Sequence, residues 1–243
     1  MVEFLIDGFI FLLAGFVQGL TGFAFALLAV PLLSLFGSLK AAVGLMATVG
    51  FIIILYSCYL HRHEVEVRKI LPLALVAVAC IPLGALFLIR APERIATIAL
   101  GVVVIVLALG SMKMGEERLT VLQPRWIGYL FSAVSGLLGG AFSAPGPIVV
   151  AYLNATEPSP LKAKANTQLF FTFTSVGLFL THLGGGTITL EVIGKALPLI
   201  PLSMAGTHLG VKLSSHLPTR VLRSLMDGGL VLLGGYLIVS RLY

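Results

Sequence analysis

Gly15-Phe16-Val17-Gln18-Gly19-Leu20-Thr21-Gly22-Phe23 and Gly136-Leu137-Leu138-Gly139-Gly140-Ala141-Phe142-Ser143-Ala144-Pro145-Gly146-Pro147 decide the fold. Each interrupts a long apolar run, and the two sit at matching places in the two halves of the chain. The runs span residues 4–36 and 127–153, where about 20 residues suffice to cross a bilayer as a helix. Glycine weakens a helix and lets backbones approach closely. Pro145 and Pro147 remove backbone donors from a continuous helix. Both segments therefore read as broken or re-entrant. The start, Met1-Val2-Glu3-Phe4, lacks a basic leader and reads as the beginning of the first membrane segment.

Outward from these stretches the chain is overwhelmingly apolar. Of 243 residues, 58% are hydrophobic and 11% charged, against about 25% charged in soluble domains. The expectation is an all-α integral membrane protein with about eight hydrophobic segments, near 4–36, 39–60, 70–89, 92–112, 127–153, 163–183, 190–211 and 218–240. A polar stretch from Lys113 to Arg125 divides it, predicting a first membrane repeat at 1–114, a connecting loop at 115–125 and a second repeat at 126–243.

The halves resemble each other. A shift of 126 places Leu71-Pro72-Leu73 on Leu197-Pro198-Leu199, Leu83-Gly84 on Leu209-Gly210, Pro92 on Pro218 and Arg94 on Arg220. A shift of 117 places Gly19-Leu20 on Gly136-Leu137, Gly22 on Gly139 and Phe25 on Phe142, and Leu39-Lys40-Ala41 matches Leu161-Lys162-Ala163. Two repeats of four segments with equivalent interruptions are the signature of secondary transporters. If every segment crosses once, the 16 Lys and Arg divide evenly between the two sides. If the first and fifth are re-entrant, eleven fall on one side and five on the other. The positive-inside rule then makes the richer side cytoplasmic, and the halves become inverted repeats. A tilted or kinked single span is the alternative.

A broken membrane helix presents partly positive amide groups where its second half starts, and these suit an anion. The expected solute-binding residues are Gln18, Gly19, Thr21, Gly22, Gly139, Gly140, Ser143 and Gly146 at the interruptions, with Asn166 and Gln168 as a polar wall that continues into Thr174 and Ser175. The competing reading makes Gly15-x-x-x-Gly19 and Gly136-x-x-x-Gly140 helix-packing faces, and Asn166 and Gln168 interfacial. His208 and Asp227 lie within apolar segments, where ionisable groups are costly. They are the proton-coupling candidates, with an ion pair or an interhelical hydrogen bond as the alternative role.

Cys58 and Cys80 form no C-x-x-C pair and read as small hydrophobes. No metal site, cofactor motif or enzyme signature is expected. The net charge of +6 is scattered among apolar runs, which argues against a nucleic-acid partner. The expected partners are a small anionic solute and the lipid bilayer, with a homodimer left open. A membrane-embedded enzyme, an anion channel and a subunit of a larger transport assembly are the competing classes.

Ala14-Gly15-Phe16-Val17-Gln18-Gly19-Leu20-Thr21-Gly22-Phe23-Ala24-Phe25-Ala26, followed by Val30-Pro31-Leu32-Leu33, resembles the sulfite exporter TauE/SafE family, the toluene-sulfonate uptake permeases. Gly136-Leu137-Leu138-Gly139-Gly140 and Gly146-Pro147 with Tyr152 resemble that family's second repeat. The chain departs from the pattern at Ala24, where glycine is usual, and at Ala141 to Ala144, often richer in glycine. The resemblance implies secondary, proton-linked transport of sulfite, thiosulfate or an organosulfonate across a bacterial inner membrane.

Overall fold

The computed structural model describes residues 2–60, 62–113, 124–214 and 219–242. These form α1 (Val2–Thr21), α2 (Phe25–Phe36), α3 (Leu39–Leu60), α4 (Val67–Arg90), α5 (Glu93–Lys113), α6 (Arg125–Phe142), α7 (Gly146–Thr156), α8 (Pro160–Gly184), α9 (Leu190–Ala196), α10 (Leu199–Leu213) and α11 (Thr219–Leu242). One 3-10 turn, Arg62–Glu64, joins α3 to α4, and no strand occurs among the described residues. Of the expected connecting segment, residues 115–123 lie outside the described residues.

Among the described residues, five helices are long and apolar enough to cross a membrane: α1, α3, α4, α5 and α11. The protein is thus an all-helical, multi-pass membrane protein. Its outer surface carries exposed Leu5, Phe9, Leu75, Leu83, Leu225 and Leu232, the apolar face that a bilayer covers.

The expected first and fifth segments are each two helices. α1 stops at Thr21 and α2 begins at Phe25; α6 stops at Phe142 and α7 begins at Gly146. The first break lies at 22–24, and Pro31 sits inside α2. The expected seventh segment, 190–211, is also divided, into α9 and α10. Pro198 has no N–H to continue α9, and its ring would crowd the preceding turn. Pro72, which a shift of 126 places on Pro198, stands inside an unbroken α4, so a proline in the same Leu-Pro-Leu context has two outcomes.

Glycines set the closest helix pairs. A Cβ on Gly15 would fall 2.4 Å from the Ser203 carbonyl oxygen, on Gly19 2.3 Å from that of Thr207, and on Gly210 2.1 Å from that of Phe16. Residue numbers climb together along this contact, so α1 and α10 run parallel. The same holds for α4 and α6, where a Cβ on Gly84 would meet the Leu137 oxygen and one on Gly140 the Ile81 oxygen, each at 2.0 Å. α5 and α11 run antiparallel, with Gly101 against Ile238 and Gly234 against Ile105. α3 and α8 are antiparallel too, with Phe51 stacked on Phe179 at 5.2 Å and Gly44 against Thr187, just beyond the end of α8.

Candidate functional site

Both helix breaks open onto one cavity of about 50 Å³. A buried water needs roughly 10–15 Å³ of such space, so the cavity has room for a few waters or one small oxyanion. Its wall takes Gln18, Phe23 and Phe25 to Leu27 from the first break, and Ser143 to Gly146 from the second. Met46, Ala47, Gly50, Phe51 and Ile54 come from α3, and Phe171, Thr174, Ser175 and Leu178 from α8.

Local chemistry makes the first break. Gly22 has φ +87°, a left-handed backbone that glycine adopts without penalty. Gln18 is buried and staples the turn. Its Nε2 donates to the Gly22 carbonyl at 3.1 Å, and its Oε1 accepts from the Phe25 N–H at 3.1 Å. Gln168 crosses from α8 and donates to the same Gly22 carbonyl at 2.6 Å. Thr21 bonds back to the Val17 carbonyl at 2.8 Å and does not line the cavity.

The second break turns on Ser143, at φ +53°. Its amide donates to the Gly139 carbonyl at 2.7 Å, and its hydroxyl to the Val43 carbonyl of α3 at 3.3 Å. The two breaks touch. A Cβ on Gly146 would lie 3.2 Å from the Phe23 carbonyl oxygen and 3.5 Å from the Phe171 ring. The N-cap residues of α2 and α7, Ala24 and Pro145, supply no side-chain cap. The first-turn amides of both helices lack acceptors within their own helix and lie at the cavity, where Ala26, Leu27 and Gly146 form its wall. The wall is otherwise mostly apolar, so these helix starts are its main source of positive potential.

The sequence-predicted residues separate into three groups. Gln18, Ser143 and Gly146 line the cavity, and Gly22 and Gln168 build its first turn. Gly19 and Gly140 face neighbouring helices, where their missing side chains admit α10 and α4. Gly139 lies against the Pro145 ring, 3.2 Å from where its Cβ would stand.

Asn166 belongs to a separate polar cluster. Its Oδ1 accepts from the Glu66 N–H and its Nδ2 donates to Glu157, both at 2.8 Å. Glu157 pairs with Lys69 at 2.8 Å, and Glu66 with Lys162 at 2.6 Å. The Lys162 hydrogen bond and charge hold the exposed Glu66 carboxyl below its ordinary value. This cluster ties the end of α7 to the starts of α4 and α8.

Neither proton-coupling candidate is on the cavity wall. His208 is exposed on α10, its Nδ1 3.2 Å from the Tyr56 hydroxyl. Asp227 is buried on α11. The α3 wall was not foreseen: Met46, Ala47 and Gly50 carry no polar signal by which a sequence would mark them. No group of His, Cys, Asp and Glu able to hold a metal occurs among the described residues.

A family model described as Sulfite exporter TauE/SafE matches residues 8–237. No curated protein and no solved structure matches the chain.

Proposed function

The chain belongs to the sulfite exporter TauE/SafE family, a family of membrane transporters and not of enzymes, and from that premise we propose a secondary transporter that moves a small sulfur-containing anion across the cytoplasmic membrane by alternating access. The observation that carries the reading is the meeting of two helix starts, α2 and α7, whose N-cap residues supply no side-chain cap, at one mostly apolar cavity. Amide groups and helix dipoles can hold an oxyanion there without a fixed countercharge. The solute class is sulfite, thiosulfate or an organosulfonate.

The architecture we assign is a pair of inverted repeats, 1–114 and 126–243, each a re-entrant hairpin followed by three crossings. Reciprocal packing supports it. α1 lies parallel to α10 as α6 lies parallel to α4, and the pairs that would map onto themselves, α3 with α8 and α5 with α11, are antiparallel. The end of the molecule where α1 starts, beside Leu202 of α10, also receives the end of α2, because α3 begins there beside Glu93 and Thr187. Such a topology gathers eleven of the 16 Lys and Arg at the opposite end, which the positive-inside rule makes cytoplasmic. We assign proton-linked energetics, with Asp227 and His208 as the coupling candidates.

The test is radiolabelled sulfite flux into proteoliposomes of the purified protein, with and without a pH gradient. Saturable flux, competed by thiosulfate and stimulated by the gradient, is expected. Flux that does not saturate would make the protein a channel. No flux above protein-free vesicles, with folded protein and either gradient direction, removes sulfite as the solute.

A further inference from the structure

Lys69, Lys162 and Lys164 fold around the start of α8, and the first two are neutralised. Lys162 pairs with Glu66 and Lys69 with Glu157. Lys164 is half-buried and makes no ion pair among the described residues. Its chain lies over the first helix break. A Cβ on Gly22 would be 3.4 Å from Lys164 Cε and 3.5 Å from its Cγ, and equally 3.5 Å from Gln168 Nε2. Gln168, one turn further along α8, holds the Gly22 carbonyl. Lys164 therefore rests on the turn that separates this end of the molecule from the cavity.

The second half alone carries this charge. Leu161-Lys162-Ala163 corresponds to Leu39-Lys40-Ala41, so Ala42 stands where Lys164 does and Met46 where Gln168 does. Ala42 is buried, and Met46 is part of the cavity wall. A half-buried lysine without a carboxylate partner leaves its charge open to an anion that visits it. Lysine suits a visit better than a permanent hold, because its ammonium is a mobile, strongly hydrated point charge.

We propose that Lys164 is the docking cation at the lysine-rich mouth, which takes up the oxyanion before it passes Gly22 into the cavity. The proposal rests on the transporter reading above and assigns the specificity for negative charge at that mouth to this side chain.

The experiment compares wild type with Lys164→Gln, Lys164→Arg and Lys162→Gln. Sulfite flux in proteoliposomes is measured alongside anion-induced thermal stabilisation in detergent, using sulfite, thiosulfate, sulfate and phosphate as probes. Lys164→Gln is expected to raise the KM for sulfite about tenfold or more, the scale of one lost charge-assisted contact, with maximal flux changed less. It should also abolish stabilisation by whichever anion stabilises wild type. Lys164→Arg should restore both in part, and Lys162→Gln, whose charge is already paired, should leave both near wild type. An unchanged KM in folded Lys164→Gln, or an equal rise in Lys162→Gln, overturns this proposal and leaves the transporter reading standing. A wild-type protein that neither moves nor is stabilised by any of these anions removes both. Unfolding of Lys164→Gln with a fully active Lys164→Arg keeps the charge assignment, whereas an Arg variant that folds without transport overturns it.

Discussion

Gly140→Ala and Gly146→Ala should fail in opposite ways, although the two glycines are six residues apart and both belong to the second helix break. On Gly140 a Cβ would stand 2.0 Å from the Ile81 carbonyl oxygen and 2.8 Å from the Ala85 amide. Ordinary contact begins near 3.4 Å, so α4 and α6 would have to separate by about 1.4 Å. The obstructing atoms are backbone and cannot rotate away. Overpacking of this kind costs about 1–3 kcal/mol, and the whole parallel contact from Gly136 to Gly84 would be strained. On Gly146 the nearest atom is the Phe23 oxygen at 3.2 Å, only about 0.2 Å inside ordinary contact. The added methyl would narrow a cavity of about 50 Å³. The assay is thermal unfolding in detergent combined with sulfite flux per folded molecule. Gly140→Ala should lower the unfolding midpoint by several degrees and leave the KM of the surviving protein near wild type. Gly146→Ala should keep its midpoint and lose transport, with a raised KM. A stably folded Gly140→Ala protein with a raised KM would refute the division of the glycines into packing and solute positions.

Other expectations follow from the same geometry. Asn166→Ala leaves the Glu66 amide and the buried Glu157 carboxylate each short of a partner, so stability in a chemical-denaturation series should fall by about 1–3 kcal/mol while KM is unchanged; a KM effect in a stable protein would return Asn166 to the solute wall. Glu66 has its pKa lowered in the folded protein, first by its hydrogen bond to Lys162. Its contribution is therefore present above the ordinary carboxylate value of 4.5 and is lost as pH falls through the lower folded value. Lys162→Met should flatten the acid limb of the unfolding midpoint below that pH, and a limb identical to wild type would show that the pair contributes nothing measurable. Asp227→Asn should abolish stimulation of flux by a pH gradient while gradient-free exchange persists, and His208→Gln should diminish the stimulation. Full stimulation in both variants would locate the coupling group elsewhere.

How much of this was legible beforehand depends on whether a residue acts within its own neighbourhood. Gln18 was readable as part of the first break because its partners, Gly22 and Phe25, are within seven residues. The breaks at 22–24 and 143–145 were readable for the same reason, since glycine and proline act on their own backbone. Gly19 and Gly140 were ambiguous from the start. A G-x-x-x-G spacing permits close approach of a solute or of a helix, and only the position of α10 and α4 decides for the helix. Pro198 shows the converse limit. It ends α9 while Pro72, its repeat counterpart, is carried inside α4, because neighbouring helices can re-satisfy what a proline frees. Met46 and Gly50 gave no sign at all, since apolar residues become cavity wall only by what faces them.

Lys164 is the instructive case, because its residue type alone does not set it apart from Lys162. A lysine at the start of a membrane helix reads as an interfacial anchor, and its neighbour Lys162 behaves as one, tied to Glu66 at 2.6 Å. Two residues along a helix is about 200° of rotation, so the two side chains leave opposite faces. One reaches the carboxylate beside the 3-10 turn, and the other lies over Gly22. The repeat comparison separates them again: Lys40 matches Lys162, whereas Ala42 matches Lys164. A charge kept in both halves is explained by the membrane surface that both halves meet. A charge present in one half only is not, and a carrier whose two mouths differ in this way binds an anion unequally from its two sides. On the secondary-transporter reading the gradients set the direction but not the affinity at each face, and flux assays run from both sides of oriented vesicles should show the lower KM at the Lys164 face.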